Sequence, residues 1–435
     1  MNFLPPNHPD RFALANEIHA RPPSAMPTPG RVTYAAVIVA AEDRARELAH
    51  VASLCERFGV QPPEASSAHF SAELGELSIK WEKHTEFSSY TFFRAGVSDE
   101  PFTDQASDAL PIGWMAGIPG QTIVATQGLL IADDGHPPSA DQLNILFTGN
   151  QLVGAEVADG QGSLFTDFRV HKDGCGRCVL FNHGLVPRHA GRIMQRVFEI
   201  EAYRMMALLA LPITRLHGPR IAAIETALAN ITSNISREQG SDESLLHELS
   251  VLAVEVESTR ASSQMRFGAS RAYHELVRSR ITELRESRVG GIQTIDEFMS
   301  RRLTPAMATC ATVAQRLHDV SERIAQASSL LSTRTDVVRE KQNQALLASM
   351  DRRAKAQLRL QQAVEGLSIA AIAYYVIGLL SYFFKSVSVV APKINPEIAT
   401  GVAVPVVLIL VAWAIRRARK KITDDTAAKA VSSVK

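Results

Sequence analysis

The run Cys175-Gly176-Arg177-Cys178 places two thiols three positions apart, with His171, His183 and His189 close by in the chain. Two thiolates and two imidazoles complete a tetrahedron, so Cys175, Cys178, His171 and His183 form a candidate Cys2His2 zinc site. A redox CxxC would normally open a helix, whose dipole lowers the thiol pKa. Here the pair lies between two expected strands. The competing reading is a β-hairpin turn through Gly174 and Gly176 that happens to carry two thiols.

A second set of chemistry-bearing residues occupies Trp81-Glu82-Lys83-His84-Thr85-Glu86-Phe87, and Glu17, His19 and Arg21 stand near the N-terminus. Acid–base chemistry would pair Glu82 or Glu86 with His84 or His19. Strand alternation puts Glu82, His84 and Glu86 on one face and Trp81, Lys83, Thr85 and Phe87 on the other. The competing reading is a solvated sheet face with internal ion pairs. Neither Gly-x-Ser-x-Gly nor His-Glu-x-x-His occurs, and His247-Glu248 and His274-Glu275 lack a second histidine at metal-ligand spacing. Dinucleotide and P-loop glycine motifs are also missing. These patterns predict a protein that is not an enzyme, with no catalytic residue assigned and the cofactor unknown.

These residues must be positioned by a chain of 435 residues that is 46% hydrophobic and 21% charged, which is too apolar for disorder. The 46 Lys and Arg against 45 Asp and Glu leave a net charge of +1, without the basic surplus of a general nucleic-acid binder. The helical run holding Arg278, Arg280, Glu283, Arg285, Glu286 and Arg288 mixes signs without aromatics, as salt-bridged helices do. No nucleic-acid partner is expected. Four cysteines fit a reducing compartment better than a disulfide framework.

Short β-rich runs lie at Val32 to Val39, Leu77 to Phe93, Gln121 to Ile131, Gln151 to Val157 and Leu164 to Leu180. Helical patterns cover Glu42 to Phe58 and Ser139 to Phe147. Residues 1–186 therefore read as an α+β domain with a mixed or largely antiparallel sheet. From Pro187 onward the period is helical, with a break or kink at Pro212 and a turn at Gly290-Gly291, so 187–365 read as a helical bundle and stalk.

Two uncharged runs follow, Gly366 to Phe384 and Ile398 to Ile415. The first would span about 28 Å as a helix, close to the hydrocarbon thickness. Residues 366–415 thus read as a transmembrane hairpin and 416–435 as a basic tail. No secretory signal is read at the N-terminus. Arg352, Arg353, Lys355 and Arg359 precede the first span, and Arg416, Arg417, Arg419, Lys420 and Lys421 follow the second. Only Lys385 and Lys393 lie between. The positive-inside rule then predicts a bacterial inner-membrane protein with both termini cytoplasmic.

The blocks Asn16 to Pro22, Trp81 to Phe87, Ile200-Glu201-Ala202-Tyr203-Arg204-Met205 and Tyr374-Tyr375-Val376-Ile377-Gly378-Leu379 resemble a bacterial family of uncharacterised membrane-anchored proteins, a domain of unknown function. The resemblance covers almost the whole chain and implies no activity. In layout alone the chain is also similar to CorA-type divalent-metal transporters, which implies a homo-oligomer that passes a divalent or other cation. It departs from them where Gly-Met-Asn would stand: the first span ends Leu380-Ser381-Tyr382-Phe383-Phe384-Lys385.

Ser368, Ala371, Tyr375, Gly378 and Tyr382 recur at helical spacing. Together with Glu397, Ser368, Tyr375, Gly378 and Tyr382 are the pore-lining candidates of a ring in which the first span faces the axis. The alternative is a hairpin whose Ser and Tyr residues pack on its own second span. Two functions follow as expectations: a CorA-like oligomeric channel or transporter with a regulatory domain, or a non-conducting membrane-anchored scaffold or sensor.

Overall fold

A computed structural model describes residues 5–12, 14–15, 23–133, 138–390 and 395–432. The Asn16 to Pro22 block, with Glu17, His19 and Arg21, lies outside them, as does Lys393. The chain divides into two compact units, Met1–Ser329 and Leu330–Lys435.

The first unit is built on a nine-stranded sheet of order β2-β3-β4-β1-β5-β8-β7-β6-β9. Its strands are β1 (Gly30–Ile38), β2 (His69–Leu74), β3 (Leu77–Lys83), β4 (Ser88–Ala95), β5 (Gln121–Ala132), β6 (Val153–Val157), β7 (Gly162–Thr166), β8 (Gly176–Asn182) and β9 (Ser287–Arg288). Among the described residues β5·β8 is the one parallel strand pair, so the sheet is mixed and largely antiparallel, as the alternation predicts.

Two expected runs prove to be pairs of strands. Leu77 to Phe93 is the hairpin β3–β4, closed where the N–H of His84 donates to the Phe87 carbonyl at 2.8 Å. Leu164 to Leu180 is β7 and β8 with a loop between them. In the first hairpin no Gly or Pro punctuates the turn, so hydrophobic pattern alone reads through it.

Side-chain alternation gives the sheet two different faces. One is covered by α1 (Arg44–Arg57) and α2 (Ala140–Leu146). Below α1 lie Val37, Ile79, Trp81, Tyr90 and Phe92; below α2 lie Leu129, Phe165, Val179 and Phe181. Ser139 caps α2 by accepting the Gln142 N–H at 3.1 Å.

The other face is covered by α3 (Pro187–Leu208), which packs on β5 and β8. Its first-turn proline is pre-organised for helix. The helix lies so close that a Cβ on Gly128 would meet Met194 Cε at 2.3 Å and Val32 Cγ1 at 2.7 Å. The break expected at Pro212 falls at Leu209, and Pro212 sits in the first turn of α4 (Ala210–Ser236), where no intrahelical donor is required of it.

Helices α4, α5 (Asp242–Leu284) and the start of α6 (Ile295–Val390) complete this unit. In α6 the residues Met299, Leu303, Met307, Cys310, Val313, Leu317, Val320 and Ile324 are buried at spacings of three and four, forming one apolar stripe.

The second unit contains the rest of α6 and α7 (Pro396–Ser432), and each of these helices carries a stretch long and apolar enough to cross a membrane. Only 6% of either stretch is buried, unlike the core hairpin of a soluble protein. Along the first stretch Ile369, Ala373, Val376, Leu380 and Phe384 are covered at three- and four-residue spacing, with Ile377, Gly378 and Ser381 half-buried beside them; along the second Thr400, Val404, Val407, Val411 and Ile415 are covered, with Ala399, Ala403 and Ala412 beside them. Small residues such as Ala373 allow close helix approach without any hydrophobic drive from lipid.

Candidate functional site

The four expected zinc ligands do not converge. Cys178 points to the α3 face, where a Cβ on Gly128 would lie 3.2 Å from its Sγ, and burial pushes its thiol well above the ordinary thiol range, with Glu201 adding to the shift. Cys175 precedes β8 and its thiol is also raised by burial. His171 Nε2 pairs instead with Asp167 Oδ2 at 2.8 Å, and His183 lies on the opposite side of the sheet from Cys178. Among the described residues no group of three His, Cys, Asp or Glu is placed to hold a metal ion. The physical reason is that only Cys178 lies inside a strand, where the pleat turns it to the α3 face, while His171 and Cys175 precede β8 and His183 follows it at a position of opposite parity.

The acid–base candidates are held in packing roles. Glu82 pairs with Lys80 at 3.1 Å, both nearly buried, and Lys80 Nζ donates to Gln195 Oε1 of α3 at 3.3 Å. Glu86 pairs with Arg266 of α5. His84 stacks on Phe87 at 4.3 Å and meets Tyr203 edge-on, while Tyr203 stacks on Tyr273 at 5.7 Å. The blocks Trp81 to Phe87 and Ile200 to Met205 therefore meet in space. Around Tyr34, Glu82, His84, Glu199 and Tyr203 the enclosed space is about 20 Å³, roughly a single water. Burial drives the Tyr34 hydroxyl well above its usual range, keeping it protonated. On the other face Glu47, 1% exposed, accepts from Trp81 Nε1 at 3.0 Å and Tyr90 OH at 2.9 Å and pairs with Arg44. Its burial is tolerated because the charge is paired and its lone pairs are filled.

A different arrangement stands at the edge where β5 and β8 end. Because these strands are parallel, their carboxyl ends fall together, and antiparallel β7 begins beside them. Asp133 follows β5, His183 follows β8, and Ser163 is the second residue of β7. Ser163 Oγ lies 2.7 Å from His183 Nε2, and His183 Nδ1 contacts Asp133 Oδ2. An ionised carboxylate only accepts, so the imidazole donates Nδ1–H to Asp133 and its Nε2 accepts from the Ser163 hydroxyl.

The backbone holds this geometry independently of the side chains. The Asp133 N–H donates to the Asn182 carbonyl at 3.1 Å and the His183 N–H to the Gln161 carbonyl at 3.0 Å. Asn182 Oδ1 accepts the N–H groups of Gly184 and Leu185, fixing the turn that carries His183.

The three side chains line a cavity of about 480 Å³. Its walls are Pro138, Ala140 and Leu143 at the start of α2, Phe165 of β7, Val289 and Ile292 before α6, and Glu156 and Gly160 of the β6–β7 hairpin. An aspartate, a glutamate, a serine hydroxyl and an imidazole line it together with apolar groups, and among the described lining residues there is no Lys or Arg. Sequence patterns miss this site because its residues come from three separate strand ends. The one local signal is that each lies at a strand terminus.

In the second unit Ser368, Tyr375 and Tyr382 are exposed on one face of α6, away from its covered positions, and Ser368 Oγ donates to the Val364 carbonyl at 2.9 Å. Gly378 is half-buried, and Glu397 is exposed in the first turn of α7.

The model of a family described as "Protein of unknown function (DUF3422)" matches residues 6–422. No curated protein and no solved structure matches the chain, and the likeness in layout to CorA-type transporters finds no support there. The chain belongs to the DUF3422 family.

Proposed function

We propose that this member of the DUF3422 family is a non-conducting sensor anchored in the bacterial inner membrane, both termini cytoplasmic, whose sheet unit binds an uncharged, partly apolar small molecule. The observation that carries the reading is the cavity of about 480 Å³ at the carboxyl ends of β5 and β8. Parallel strand ends are where α/β sheets commonly take ligands, and apolar walls with a few convergent polar groups are the usual make-up of such a site. The carboxylates of Asp133 and Glu156 at the wall favour an uncharged ligand over a carboxylate. The anchoring half rests on the two apolar stretches and on the Lys and Arg that flank them on one side.

The test is thermal melting of the full chain in detergent with N-phenylhexanamide, or with 4-hexylbenzoate as its anionic counterpart. The amide is expected to raise Tm, the benzoate to leave it unchanged, and Ala140→Trp at the cavity mouth to abolish the amide effect. Equal shifts from both compounds, or none from the amide, would remove the reading.

The exposed Ser368, Tyr375 and Tyr382 stripe favours a second reading, a homo-oligomeric ring of CorA-like layout passing a cation along the first span. Cysteines at Tyr375 and Tyr382 that cross-link between copies, together with magnesium uptake into proteoliposomes, would establish it. Cross-linking without uptake would leave a non-conducting oligomer.

A further inference from the structure

We infer that Ser163 is the nucleophile of an acyl-transfer site in this cavity, with His183 as its base and Asp133 as the positioning residue, acting on uncharged esters with an apolar acyl group. The inference rests on the reading of the cavity as a ligand site.

A serine hydroxyl is a weak nucleophile unless a base accepts its proton and a third group holds that base in the right tautomer. All three conditions meet here in the required order: hydroxyl to Nε2 at 2.7 Å, and Nδ1–H to the Asp133 carboxylate. Fold maintenance does not account for the relay, because the backbone bonds of Asp133 and His183 and the Asn182 turn already fix both loops. The imidazole is 23% exposed and the Asp133 side chain 7% exposed, so the base reaches the cavity while its partner is shielded. Leu143, Phe165 and Ile292 offer the apolar surface that an acyl chain would cover.

The reaction closes with water as the only co-reactant. Ser163 Oγ attacks the ester carbonyl carbon and its proton passes to His183 Nε2. The carbon–oxygen bond to the alcohol breaks, the alcohol leaves with that proton, and an ester to Ser163 remains. Water then adds to this ester, losing a proton to Nε2; the bond to Oγ breaks, Oγ recovers the proton, and a carboxylic acid is released.

The experiment uses the full chain in detergent with 4-nitrophenyl hexanoate, and separately with an uncharged fluorophosphonate whose adduct is located by peptide mass. Expected are 4-nitrophenolate release, an adduct on Ser163, and a loss of about 100-fold or more in kcat/KM on Ser163→Ala. Asp133→Asn should lower kcat and leave KM unchanged, a split that general loosening of the fold would not produce. Hydrolysis equal in wild type and Ser163→Ala, with no adduct on Ser163, would overturn the inference. The adduct is sought on the unmodified chain, so a folding defect of the variant cannot mask that result. If the adduct is missing while N-phenylhexanamide still raises Tm in an Ala140-dependent way, the binding site stands and the acyl transfer falls. If both are missing, both readings fall.

Discussion

On the α3 side of the sheet Lys80, Glu82, Gln195 and Tyr34 close around about 20 Å³, whereas at the ends of β5 and β8 the relay of Asp133, His183 and Ser163 opens on about 480 Å³. Both regions are polar and both contain ionisable side chains. In the first, Lys80 and Glu82 pair along one strand and Lys80 also donates to Gln195 of the helix that covers them. In the second, the hydrogen bonds run in a line that ends on a hydroxyl at a cavity wall. Density of charge therefore marks the fold's internal fastening, and the direction of the hydrogen bonds distinguishes the candidate site.

The sharpest way to break this comparison is Lys80→Met, which leaves Glu82 buried without its cation. The expected cost is about 3–5 kcal/mol in urea unfolding of the full chain, and Lys80→Met with Glu82→Leu should recover most of it. A cost under about 1 kcal/mol would mean that the cluster is not a closed ion pair.

The thiols sharpen the same contrast between closed and open surroundings. Burial holds both Cys175 and Cys178 above the ordinary thiol range, but Cys178 is 0% exposed while Cys175 is half-buried. Iodoacetamide at pH 8 should label Cys175 about tenfold faster or more, and the rate at Cys175 should keep rising as pH passes the usual thiol value. Chelation by EDTA should leave Tm unchanged, because the candidate ligands are not brought together.

Ser163→Ala removes one hydrogen bond beside a cavity that admits water, so its stability cost should be about 1 kcal/mol, even though its expected effect on ester cleavage is large. A cost near that of Lys80→Met would class the relay with the closed cluster.

The smallest effect is expected at neither region. Arg316 of α6 donates to Glu225 of α4 at 3.0 and 2.6 Å, and this bonding holds the Glu225 carboxyl below the usual carboxylate range. A folded pKa below the unfolded one gives stability that is present above the unfolded value, about 4.3, and is lost as pH falls through the folded value. Glu225→Gln should therefore cost about 0.5 kcal/mol at pH 7. Its difference from wild type in thermal melts should close below pH 4.

The helical half and the spans were legible in sequence because their signals are local. Three- and four-residue spacing from Met299 to Ile324, the uncharged runs in α6 and α7, and Ser139 ahead of α2 each depend on neighbours within a turn or two. The hairpin at His84 to Phe87 was not legible, since its turn uses neither Gly nor Pro. The strand β2 was missed as well: His69-Phe70-Ser71-Ala72-Glu73-Leu74 has weak alternation and pairs at an edge.

By itself the sequence determined that a mixed, largely antiparallel sheet precedes long helices and two membrane-length apolar stretches, since periodicity and hydropathy act over short distances. It also determined membership in a family through blocks spread along the chain. Which side chains meet was decided by tertiary structure alone. The pleat sent Cys178 and His183 to opposite faces, and the parallel pairing of β5 with β8 brought Asp133, Ser163 and His183, up to 50 residues apart, to one edge. Strand order and direction depend on long-range pairing, which no local spacing records.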